Sequence, residues 1–160
     1  MIAQEAVASL GRRTWAFTID SFLMSLLILV IFYDPIMALA QQMNTATTPE
    51  ATQEMILAIQ QFNRQSLPYI FMIYLLYHTL LIAQSGMTVG KYFARIRVVD
   101  AESGEHVTFA QAFGRALMRT VGEMFLLYLT FLPAFFSPLR QTLHDRLART
   151  VVIREAGPAR

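Results

Sequence analysis

The sequence predicts an all-α membrane protein. It should have two transmembrane helices, a third short hydrophobic segment that re-enters or spans, and a small cytoplasmic β-hairpin with an amphipathic helix. Three observations carry this. Of 160 residues, 55% are hydrophobic and only 15% charged, against about a quarter charged in ordinary soluble proteins. The apolar residues are clumped into runs, two of them near the ~20 residues that a bilayer-spanning helix needs. The basic residues are segregated: twelve of the thirteen Lys and Arg lie outside 41–66, which holds only Arg64. The length fits one domain over 1–160. There is no cysteine, which excludes a disulfide framework and a thiolate metal site.

The first span covers about 14–33, with Trp15 and Tyr33 where interfacial aromatics sit. Arg12 and Arg13 stand at its mouth, and Asp20 is its single full charge. A carboxylate inserted into hydrocarbon costs roughly 2.5–3.5 kcal/mol on insertion scales, so Asp20 must be paired, hydrated or neutral. Arg12-Arg13 and Ala38-Leu39-Ala40 loosely imitate a twin-arginine signal with its cleavage site. The apolar run is too long for that, contains Asp20, and is followed by more membrane-length sequence, so the segment is expected to be retained.

Asp34-Pro35 interrupts the helix, and the Gln-, Ala- and Thr-rich residues 36–47 read as an exposed loop, in part helical. Thr48-Pro49-Glu50 starts the next helix with a hydroxyl cap, proline at the first position and an acid in the first turn. An amphipathic stretch then leads into the second span, about 67–85, with Pro68 a candidate kink at the membrane edge. His78 is the titratable group of this span and reads as a hydrogen-bonded interior residue or a functional one.

Gly86-Met87-Thr88-Val89-Gly90-Lys91 is a glycine-spaced turn. A Walker loop needs four residues between its glycines, so it is not one. Residues 95–100 alternate like a strand, 101–105 form a turn, and 106–108 are expected to pair back as a hairpin. Thr108-Phe109-Ala110-Gln111 is a capping box opening an amphipathic helix. Its apolar face is Phe109, Ala112, Phe113, Ala116 and Leu117, while Arg115 and Arg119 reach lipid headgroups. The cytoplasmic amphipathic region is thus 86–120. The segment 121–139 is short and broken by Pro133 and Pro138, suited to dipping into the membrane. With 1–13, 86–120 and the tail 140–160 all basic, the positive-inside rule puts them in the cytoplasm. Two full spans are favoured, with three as the rival. Nucleic-acid binding is excluded by the flanking hydrophobic segments.

Together these pieces resemble the RDD family of small bacterial integral membrane proteins. Arg13, Ala16, Ile19 and Asp20 match its first-span pattern, and 86–91 with 95–100 its glycine-lysine turn and strand. Residues 143–152 match its C-terminal block, and Arg149 stands where members often have glycine. The resemblance implies a multi-pass protein of the bacterial cytoplasmic (inner) membrane. It also implies transport, with Na⁺ or K⁺ for H⁺ antiport among its members, or an accessory role beside other membrane machinery.

Two functional readings follow. Asp20 could couple proton and cation movement, within a network of Arg13, Asp20, Asp145, Arg146 and His78. Alternatively, the Arg and Asp residues form a buried structural latch in a non-transporting scaffold or accessory subunit. Arg13 lies seven residues before Asp20, on the same helical face and ~10 Å away along the axis, so direct or water-bridged pairing is expected. No nucleophile–base grouping stands out, so no enzyme is expected. No cofactor or metal is expected either, since the three histidines lack ligand spacing. The expected partners are the lipid bilayer, monovalent cations and protons, and further copies of the chain or a larger membrane complex.

Overall fold

A computed structural model of the chain describes residues 6–125, 129 and 131–155. They are mostly helical, with two long apolar helices and one small two-stranded sheet. In order these are α1 (Leu10–Ile31), α2 (Tyr33–Thr45), α3 (Pro49–Ser85), α4 (Val89–Phe93), β1 (Ile96–Asp100), α5 (Phe109–Phe125), α6 (Pro133–Phe136), α7 (Leu143–Leu147) and β2 (Thr150–Arg154). Contacts group them into two compact units, residues 22–73 and the described residues of 1–21 with 74–160.

In the unit 22–73, α2 corrects the loop expected over 36–47. Pro35 falls in the first turn of α2, where its missing N–H has no intrahelical role, and Ala, Met and Gln behind it are good helix formers. Thr48 caps α3 as expected, its hydroxyl accepting from Ala51 N–H at 3.2 Å. Helix α3 continues through Pro68 for 37 residues.

The other unit is built on β1 and β2, which pair antiparallel from Ile96–Arg154 to Asp100–Thr150. This corrects the expected hairpin: only a single bridge, Val99 to His106, joins β1 to the segment after the turn. The N-terminal segment adds to the far side of β2 through a Val7–Ile153 bridge and a 2.9 Å bond from Ala8 N–H to the Val152 carbonyl. Val98 and Val152 point into a cluster with Ala8, Ala16, Ile82 and Ala112, while Val99 and Val151 pack with Val7 on the opposite face.

Gly86 ends α3 with φ 72, its N–H bonded to the Ile82 carbonyl and its own carbonyl accepting from Val98. This is the left-handed stop that glycine permits. Arg149, between α7 and β2, also has positive φ, 51. The left-handed region costs a non-glycine residue about 1–2 kcal/mol.

The capping box of α5 forms as read, with Thr108 Oγ1 and Gln111 Oε1 each accepting the other's backbone N–H. The buried face of α5 overlaps the apolar face only in part. Ala112, Arg115, Ala116, Arg119, Thr120 and Gly122 are inside, whereas Phe109 and Phe113 are exposed. Small side chains let α5 approach its neighbours, and a buried carboxylate, Asp145, meets Arg115. Of the expected membrane-dipping segment 121–139, α5 takes the start and the four-residue α6 a later part. Residues 126–128 and 130 lie outside the described residues.

Candidate functional site

Asp20 is 1% exposed and accepts three hydrogen bonds, all from uncharged donors. Oδ1 accepts from Tyr77 Oη and from the Gly90 N–H, both at 2.8 Å, and Oδ2 from Thr88 Oγ1 at 2.6 Å. Tyr77 Oη in turn accepts from the Val89 N–H at 3.3 Å. The turn after α3 is thereby clasped to α1. The approach is possible only because residue 90 is glycine. A Cβ there would run into the Ala16 carbonyl oxygen and come within 2.9 Å of Asp20 Cγ.

Asp145 makes a second clasp of a different kind. It is the N3 residue of α7, in a reciprocal capping box with Thr142. The same carboxylate pairs with Arg13 Nη1 at 3.0 Å and Arg115 Nη2 at 2.7 Å. Arg13 also donates to the Val152 carbonyl at 3.2 Å, and Arg115 to Thr150 Oγ1 at 3.4 Å. One buried carboxylate therefore joins α1, α5, α7 and β2. Burial alone would raise its pKa, but the surrounding cations, Arg115 foremost, outweigh that and hold it well below the usual carboxylate range. Burial draws Arg115 down to about 10, against the pull of Asp145, so it stays charged at neutral pH.

Between α1, α4, α5, α6 and α7 lies a cavity of about 450 Å³. Its charged wall is Arg13, Lys91, Arg115, Arg119 and Asp145, with His144 beside them, and the remainder is largely apolar. Lys91 is buried and its Nζ donates to Thr88 Oγ1 at 3.3 Å. Burial, then Arg119 and Arg115, push its ammonium down to about 7 against the attraction of Asp20 and Asp145. Burial holds His144 well below its ordinary value, hence neutral. Chemically, the arrangement offers one carboxylate hydrogen-bonded by neutral donors, a second held by ion pairs, and a cavity walled by positive charge.

The RDD family model matches residues 7–149, nearly the whole chain. The chain belongs to the RDD family. An uncharacterized protein of Rickettsia prowazekii (strain Madrid E) is 38% identical over 73 residues, spanning 43% of this chain and 37% of that protein. The matched part is thus well under half the relative's length. No solved structure matches.

In this RDD chain, the residues singled out from sequence fall into separate groups. Arg13 and Asp145 meet, but Asp20 binds neither of them. Arg146 is exposed and forms no ion pair among the described residues. His78 is 1% exposed, yet neither ring nitrogen has a hydrogen-bond partner. Its ring instead sits edge-on to Tyr77, centroids 5.0 Å apart. The two arginines expected at lipid headgroups turn inward: Arg115 to Asp145, and Arg119 to Glu123 at 2.8 Å and over the Phe17 ring. A buried acid draws Arg115 in, whereas Arg119 pairs within its own helix. Tyr77, Thr88, Gly90, Lys91 and Thr142 were not singled out as site residues. Thr142-x-x-Asp145 has capping-box spacing and was legible; the neutral donors to Asp20 left no charge signal.

Proposed function

We propose that this chain is a two-span membrane protein acting as a scaffold or accessory subunit, with Asp20 and Asp145 as structural latches rather than ion carriers. The apolar windows of α1 and α3 support the membrane reading: only 17% and 28% of their residues are buried, where a soluble core helix would be mostly buried. At ~55 Å, α3 exceeds a hydrocarbon core of ~30 Å, which leaves its amphipathic first part outside. Pairing of β1 with β2, and of β2 with the Val7–Ala8 segment, supports two spans over three. A full crossing between residues 100 and 150 would separate two hydrogen-bonded strands. The basic character of those segments favours the cytoplasmic side of a bacterial inner membrane.

The observation that carries the latch reading is the saturation of Asp20. Its oxygens already accept from Tyr77, Thr88 and Gly90, and it is absent from the residues lining the cavity. A carboxylate that exchanges a proton for a cation needs a hydrated approach. Two spans without an internal repeat also fall short of the repeated bundles on which alternating access usually rests, so a transporter of this size would have to oligomerise.

Antiport is the second reading, favoured by Lys91, a buried base at a cavity wall one hydroxyl away from Asp20. The two separate in liposomes loaded with a pH-sensitive dye and challenged with Na⁺ or K⁺ gradients. The scaffold reading expects no cation-driven proton movement above that of protein-free vesicles. Movement in wild type that is lost in a folded Asp20→Asn variant would overturn it in favour of antiport.

A further inference from the structure

We propose that the cationic cavity binds the phosphodiester headgroup of an anionic bilayer phospholipid. This rests on the membrane reading above and goes beyond the latch.

Charge selects the ligand class. The cavity wall carries four cations, Arg13, Lys91, Arg115 and Arg119, and one acid, Asp145. Adding the two carboxylates that act on these cations from outside, Glu123 on Arg119 and Asp20 on Lys91, leaves four positive charges facing three negative when Lys91 is protonated, the form that an anion beside it favours. A single negative charge balances the site, and a phosphodiester carries one.

Hydrogen bonding points the same way. Arg13 and Arg115 are engaged by Asp145, but Lys91 is 6% exposed, makes no ion pair among the described residues, and meets only a hydroxyl. Arg119 commits Nε to Glu123. Arg13 Nε, buried, has no hydrogen-bond partner, while Asp145 Oδ1 is met by the Arg115 ion pair. The donors left over on Arg13 and Lys91 belong to cations. A phosphodiester supplies acceptor oxygens and no proton, and guanidinium and ammonium groups form charge-assisted bonds to it.

The rest of the wall fits the rest of a lipid. Leu10, Phe17, Phe131, Leu132 and Phe135 line the same cavity. Leu132 is 49% and Phe135 67% exposed, and Phe136 beside them is 84% exposed. The cavity runs from buried charge to an open apolar rim, the polarity of an amphiphile entered head first. About 450 Å³ holds a headgroup and the first methylenes, not two acyl chains, which would lie along the rim.

Full-length protein, purified in nonionic detergent, is titrated with phosphatidylglycerol or phosphatidylcholine, and adducts are counted by native mass spectrometry. Phosphatidylglycerol is expected to bind at least about tenfold more tightly. Lys91→Gln and Arg119→Gln should each weaken it about tenfold, the scale of one charge-assisted hydrogen bond. Equal affinity for the two lipids would overturn the proposal, as would undiminished phosphatidylglycerol binding in both variants. Should either variant fail to fold, the wild-type selectivity decides. Displacement of the lipid by an equal concentration of inorganic phosphate would assign the site to the free anion instead. Carbonate washing of cell membranes separates the two levels. Release into the supernatant contradicts the membrane reading itself, whereas retained protein lacking headgroup selectivity contradicts only this inference.

Discussion

Asp145→Asn is expected to lower stability by about 3–5 kcal/mol, the usual cost of breaking a buried ion pair from one side. The substitution removes the negative charge shared by Arg13 and Arg115, whose side chains are 12% and 5% exposed, and leaves both cations facing each other in a low-dielectric interior. Asparagine can retain the bond from Thr142 N–H at the start of α7, so the loss reads the charge rather than the cap. In detergent, the variant should melt well below wild type or fail to give a monodisperse peak. Arg146→Gln, next in sequence but exposed, should melt with wild type. A normal melt for Asp145→Asn would mean that the Arg13–Asp145–Arg115 cluster contributes little to holding α1, α5, α7 and β2 together.

Gly90→Ala should be nearly as damaging for a different reason. One methyl group would collide with the Ala16 carbonyl oxygen and lie 3.0 Å from its carbonyl carbon. These are backbone atoms of α1 and cannot rotate away. The turn must withdraw, which lengthens or breaks the bond from Gly90 N–H to Asp20. Overpacking costs about 1–3 kcal/mol, and leaving the buried N–H of residue 90 unsatisfied about 1–3 kcal/mol more. Gly114→Ala is the control, since no atom lies within 4 Å of an added Cβ there; in mid-helix it should be neutral or slightly stabilising. The comparison needs only melting curves of the two variants beside wild type. Equal melting of both would show that the close approach of the turn to α1 is not needed.

What sequence reveals here follows physical range. Asp20 stands out because one charge in an apolar run is a local signal, and the capping boxes and the stop at Gly86 are equally local. The donors to Asp20 are not, lying 57, 68 and 70 residues away and carrying no charge. Arguments from charge turned instead to Arg13, which shares the helical face but belongs to Asp145, 132 residues on. The strand 96–100 was legible from its alternation, yet the turn signal at 101–105 suggested a local partner. The true partner, β2, depends on long-range packing of valines that no spacing announces. In α5 the capping box and the apolar Ala112 and Ala116 were legible, while the inward turn of Arg115 depends on an acid in a distant segment.

The most direct test of the latch is Asp20→Asn, melted in detergent beside wild type. Asparagine keeps one acceptor for Tyr77 and Gly90 but presents an amide to Thr88. That hydroxyl already accepts from the Lys91 backbone N–H and from its Nζ. A buried hydrogen bond is lost and donors face each other, at a cost of about 1–3 kcal/mol. For a chain of this size that is a fall in melting temperature of roughly 2–10 °C. A fall of that size is the predicted result. Unchanged melting would contradict a structural role for Asp20 and leave its burial to be explained by ion coupling.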